Sequence, residues 1–113
     1  VNVVISPLTL YFNNVLPGTT NNATNGPIVF NATGSNVNAI VTVQSVTGGL
    51  FDTGLKLDGV SATGKTFNLN CIISGGICTY TPVFSYPTLF VPNGTPAGAK
   101  SGVIVYTITG QTP

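Results

Sequence analysis

The sequence predicts an all-β domain, an antiparallel β-sandwich, on three observations. Apolar residues recur with a period of two in stretch after stretch, and no segment shows helical periodicity. Gly, Pro, Asn and Thr interrupt the chain every few residues, which keeps each extended stretch short. The 113 residues suffice for one hydrophobic core but not for two.

The chain opens V-N-V-V-I-S-P-L-T-L-Y-F, which reads as a strand from its first residue. Val1, Val3 and Ile5 share one parity; beyond Pro7 the apolar parity passes to Leu8, Leu10 and Phe12. Proline cannot donate to a ladder and belongs at an edge or a bulge, and a bulge shifts facing by one residue. The expectation is one continuous apolar face along the whole stretch. N-N-V-L-P-G-T-T-N-N-A-T-N-G-P follows as a long polar connection rich in turn residues. Then come I-V-F-N-A-T, V-N-A-I-V-T-V-Q-S-V, G-L-F-D-T and L-K-L-D-G-V, and after them K-T-F-N-L-N-C-I-I, G-I-C-T-Y-T-P-V-F, T-L-F-V and G-V-I-V-Y-T-I-T. That makes about eight or nine short strands, the spacing of a sandwich. In residues 37–46, Val37, Ala39, Val41 and Val43 face one side and Asn38, Thr42 and Gln44 the other. Ile40 breaks that split, as Ile104, Tyr106 and Ile108 do opposite Val103 and Val105. Strands apolar on both faces are central or covered by something else.

Only 4% of the residues are charged: Lys56, Lys65, Lys100, Asp52 and Asp58. An ordinary soluble domain is about a quarter charged. A net charge of +1 supplies no field for nucleic acid or anionic membrane, so no nucleic-acid partner is expected. No apolar run approaches the roughly 20 residues of a spanning helix, so no membrane span is expected either. The missing Met and the two cysteines in a Thr- and Asn-rich chain suggest an exported protein whose leader has been removed, in an extracellular, oxidising setting. A chain trimmed for expression is the alternative. Hydroxyl and amide surfaces keep their hydrogen bonds at any pH, whereas carboxylates fail in acid; charge depletion therefore also suits an acidic environment, or a neutral surface covered by sugars.

C-I-I-S-G-G-I-C reads as a hairpin whose turn at Ser74-Gly75-Gly76 brings Cys71 and Cys78 onto facing strands. A disulfide, two buried thiols and a metal pair are the alternatives, although two Cys without His cannot complete a zinc site. Three N-x-[ST] sequons mark Asn22, Asn31 and Asn93 as candidate N-glycan acceptors, Asn22 and Asn93 in turn-rich loops and Asn31 at a strand end. L-F-D-T-G is similar to the D-T-G of aspartic proteases, which need two carboxylates sharing a proton and so a dimer here. The following Leu-Lys departs from that family, and D-T-G is also an ordinary turn. Without His or Glu there is no Ser-His-Asp triad, Cys-His dyad or paired-Glu glycosidase. A lysine with an Asn and Asp58 could form an isopeptide cross-link, but the lysines read more simply as surface charges. The chain is therefore read as a non-enzyme without cofactor or metal.

The opening strand lies at the terminus and is freed from the rest by the polar connection. Residues 1–14 form one unit and 15–113 the β body. An arm so tethered can complete a neighbour's sheet by strand addition. This style, with a donor-like strand, a Thr/Asn-rich β body, sequons and few charges, resembles the subunits of archaeal threads and bundling pili, and in principle the chaperone–usher pilins. The resemblance implies an immunoglobulin-like sandwich in a glycosylated cell-surface filament, with identical subunits as partners and a role in adhesion or biofilm formation. It also implies that Val1, Val3, Ile5, Leu8, Leu10 and Phe12 fill a neighbour's groove in a head-to-tail polymer. The competing expectation is a self-contained immunoglobulin-like module of an adhesin, surface layer or virion surface.

Overall fold

The computed structural model describes residues 1–34 and 36–113. Among them the chain forms twelve strands and one short helix. The elements are β1 (Asn2–Ser6), β2 (Thr19–Asn22), β3 (Ile28–Thr33), β4 (Asn38–Thr47), α1 (Leu50–Gly54), β5 (Leu55–Leu57) and β6 (Val60–Ser61). They continue with β7 (Thr66–Leu69), β8 (Ile72–Ser74), β9 (Ile77–Thr79), β10 (Val83–Ser85), β11 (Pro87–Val91) and β12 (Val103–Gln111). All pairings are antiparallel, in the orders β1-β3-β10, β2-β11-β5-β6 and β12-β4-β7, with β8-β9 as a separate hairpin.

The first two sheets continue one another. Thr19 faces Val91 and Asn22 faces Thr88; after an interruption at residues 23–27, Ile28 faces Ser85 and Phe30 faces Val83. The interruption contains Pro27, which has no N–H to give a ladder. This layer packs on β12-β4-β7 through Phe30, which is stacked on Phe67 at 4.4 Å and meets Tyr106 edge-on at 5.8 Å. Alternate residues form the core: Ile28, Phe30 and Ala32 of β3, Ala39, Val41 and Val43 of β4, and Leu55, Leu57, Phe67, Leu69, Leu89 and Val91. In β4 the inward parity changes between Val43 and Val46, because Val105 faces Ser45 while Tyr106 faces Val43. Gln44 is the extra residue of that bulge, and its Oε1 accepts from Thr107 Oγ1 at 2.8 Å.

Ten residues of β4 span about 33 Å, more than the molecule's two short dimensions of 21 and 20 Å. The strands therefore run along its 56 Å axis. One end carries Val1 beside Gly34, the β8-β9 hairpin and the end of β12; the other carries residues 13–18, α1 and residues 92–102. We call these the hairpin end and the helix end.

Several elements differ from the expected ones. The opening strand stops at Ser6, where Pro7 removes a donor, and does not run on to Phe12. Thr19–Asn22 lies in the stretch expected to be a plain connection, yet pairs with β11. The stretch G-L-F-D-T is helical rather than extended, since Gly48 (φ 112°) and Gly49 (φ 60°) reverse the chain and their carbonyls accept from Phe51 N and Asp52 N. Lys65–Ile73 divides into β7 and β8 where Cys71 N turns to Asn38 Oδ1 (2.7 Å).

Candidate functional site

β12 is one of the open edges of the fold, as β7 is on the other side of the same sheet. Among the described residues it pairs only with β4, so its other edge presents unpaired backbone groups. Its inward residues are Ile104, Tyr106 and Ile108, opposite Val46, Val43 and Val41. Val41 is completely buried, but Ile108 beside it is 44% exposed, because no further strand covers it. Burial of Tyr106 raises its phenol pKa above the usual value. Alongside this edge runs a mainly apolar groove of about 570 Å3, lined among others by Ile5, Leu10, Phe12, Val46, Phe51 and Ile104.

The opening residues form the groove's opposite wall. β1 pairs with β3 of the same chain, from Asn2 opposite Thr33 to Ser6 opposite Val29. Val3 and Ile5 pack half-buried on the core, while Val1 and Val4 are exposed. Beyond Pro7, Leu10 and Phe12 also reach the core, but Leu8 is 95% exposed. Among the described residues this stretch has no strand paired beside it. Asn25 serves instead, its Oδ1 accepting from Tyr11 N and its Nδ2 donating to Thr9 O, both at 2.8 Å. Thr24 N donates to Tyr11 O at 2.6 Å, and Asn13 N donates to Thr24 Oγ1 at 3.1 Å. Asn25 and Thr24 thus stand in for a strand edge, a role that turn chemistry in the sequence did not reveal. A second cavity of about 590 Å3 lies at the helix end, between residues 10–13 and the run from Thr95 to Lys100.

At the hairpin end Cys71 and Cys78 form a disulfide with Cα atoms 5.0 Å apart, which settles the alternatives of thiols or metal. The hairpin is tied to the body by Asn38, by Asn36 N–H donating to Cys78 Sγ at 2.9 Å, and by the Tyr80 hydroxyl donating to Val37 O at 2.7 Å. Ile72, Ile73 and Ile77 nevertheless stand out into solvent.

The sequon residues Asn22, Asn31 and Asn93 are all exposed, Asn22 in β2, Asn31 on the outer side of β3 and Asn93 in a turn beside Gly18. The two aspartates sit in different surroundings. Asp52 is exposed in α1, whereas Asp58, at φ 56°, accepts from Ser85 Oγ (2.9 Å) and Tyr86 N (2.8 Å) and lies 3.7 Å from Lys65 Nζ. Asp58 is a brace between the β5–β6 turn and the β10–β11 junction. Among the described residues no group of three or more His, Cys, Asp or Glu could hold a metal, and no helix is long and apolar enough to cross a membrane. No protein-family model, curated protein or solved structure matches the chain.

Proposed function

We propose that this chain is a structural subunit of an extracellular, glycosylated filament, polymerising head to tail by insertion of residues 1–12 into the groove of the neighbouring subunit. The observation that carries this reading is the unpaired edge of β12 beside an apolar groove. A strand laid there gains main-chain hydrogen bonds at about 1 kcal/mol net each and buries the inward faces of Ile104, Tyr106 and Ile108. The opening residues suit the part: Leu8 finds no cover in its own chain, and residues 9–11 are held by the Asn25 side chain and one main-chain bond from Thr24 rather than by a ladder. The body around the groove is an immunoglobulin-like sandwich in this reading. Scarce charge and surface hydroxyls suit a cell-surface setting, including an acidic one, with adhesion or biofilm formation as the filament's use.

One observation favours a second reading. β1 pairs with β3 of its own chain over five residues, as strand A of a self-contained immunoglobulin-like module would. Such a module would serve in an adhesin, surface layer or virion surface. Deleting residues 1–12 separates the two. The filament reading expects loss of filaments in electron micrographs and an unstable body, restored to a soluble monomer when the same twelve residues are appended after Pro113 through a flexible linker. A full-length chain that stays monomeric at high concentration establishes the self-contained module.

A further inference from the structure

We propose that the outer face of β10 and β11 is a sugar-binding surface for the protein's own glycans, on which carbohydrate attached at Asn22 and Asn31 lies against the rings of Phe84, Tyr86 and Phe90. The inference rests on the glycosylated-surface reading and is independent of how, or whether, subunits join. It starts from the alternation along residues 84–91. Ser85, Pro87, Leu89 and Val91 are buried, so Phe84, Tyr86, Thr88 and Phe90 point away from the core. The three rings are 51%, 61% and 43% exposed. From Phe84 to Phe90 the row is about 20 Å long, with about 7 Å between neighbouring positions. The solvent face of an antiparallel sheet is ordinarily polar, and a contiguous row of exposed rings marks a binding surface.

Two sequon asparagines stand in the strands beside this row. Asn22 lies directly opposite Thr88, and Thr20 lies opposite Phe90. The diagonal neighbours of Asn22 on the outer face are therefore Tyr86 and Phe90. Val29 lies opposite Phe84, which makes Phe84 the diagonal neighbour of Asn31. On its other side Asn31 faces Val4 of β1, which is also exposed. Diagonal pairs across a sheet are about 7–8 Å apart, within reach of an aromatic side chain. Both asparagines are exposed on that face, so a sugar leaving either amide begins among the rings.

The chemistry of the face suits a pyranose. A sugar ring turns C–H groups outward on its flat side, and these meet the negative face of an aromatic ring. Its hydroxyls find partners in Thr20 and Thr88, and Lys56, opposite Thr88 on the side away from Asn22, adds a cationic donor. The same asparagines decide against a protein partner. Packed sheets lie about 10 Å apart, and a sugar rising from the middle of the face holds a second sheet off. Asn93 supplies the internal contrast. It lies in a turn beside Gly18, outside the strand pairings that bring rings to the other two.

The test uses the full chain made in its source cell, with its native glycans. Asn22→Gln removes one sugar chain and is expected to lower the melting temperature by about 3–5 °C, whereas Asn93→Gln is expected to leave it unchanged. Phe90→Ser should cost about 3 °C more in the glycosylated chain than in one that already carries Asn22→Gln, because the ring then has no sugar to hold. Phe84→Ser with Asn31→Gln is the same cycle at the second site and serves should Phe90→Ser fail to fold. In NMR spectra of the unsubstituted protein, sugar protons at Asn22 and Asn31 should be shifted upfield by the rings and those at Asn93 should not. Additive effects in the cycle, or sugar resonances alike at all three sites, overturn the contact. Glycans present at Asn22 and Asn31 with additive effects overturn this contact alone. A mass equal to the bare polypeptide overturns the glycosylated reading and the contact with it.

Discussion

Leu8 offers the sharpest test of whether the opening residues act within their own chain or in a neighbour. At 95% exposure it contributes almost nothing to the isolated subunit, so Leu8→Ala should change monomer stability by less than about 0.5 kcal/mol in urea unfolding. Buried in a neighbour's groove, the same side chain would lose three carbons' worth of contact, at about 0.8 kcal/mol per methylene-sized group. The expected loss is therefore about 2 kcal/mol per subunit contact, which is roughly a 30-fold rise in the critical concentration for assembly. Sedimentation of the assembled fraction across a dilution series measures it. Leu10→Ala and Phe12→Ala are poorer probes, because both side chains already pack on their own core and their loss weakens folding and assembly together. A Leu8→Ala chain that assembles at the parental concentration refutes the insertion argument. One that is destabilised as a monomer by more than 1 kcal/mol refutes the placement of Leu8 in solvent.

Replacing Cys71 and Cys78 by Ser opens a loop with a sequence separation of 7, and the chain-entropy model expects a loss of about 2.5 kcal/mol, read by thermal or urea unfolding. Asp58→Ala should cost about 2–3 kcal/mol, since it orphans Ser85 Oγ and Tyr86 N and places a Cβ-branched-free but ordinary side chain at φ 56°; Asp58→Asn keeps an acceptor, tolerates that backbone and should cost less. Burial raises the Tyr106 pKa, so above about pH 10 the unfolded chain loses this proton before the folded one does and stability falls; below that pH the group contributes no slope, and Tyr106→Phe should remove the difference in pH-resolved unfolding curves. Intact-mass measurement on native material should show glycans at the exposed Asn22 and Asn93, and a mass equal to the bare polypeptide would refute the glycosylated-surface reading.

The period of two, the turn residues and the cysteine spacing are local properties, and they determined the all-β class, the alternation of Ala39, Val41 and Val43, and the hairpin that sets Cys71 opposite Cys78, because each depends on residues within a few positions of one another. The limits of local reading show at Pro7, where the alternation of apolar residues continues but the ladder does not, and at Leu50–Gly54, where two glycines with positive φ override an extended-looking pattern. Tertiary structure alone decided which long-range edges meet. That β3 lies between β1 and β10, that Asn25 closes the main chain of residues 9–11, and that β12 is left without an outer neighbour are outcomes of pairings between residues far apart in the chain. Alternation says which face of a strand is buried; it carries no information about which strand lies beside it. The open edge of β12 is a pairing not made among the described residues, and that is written only in the three-dimensional arrangement of the strands.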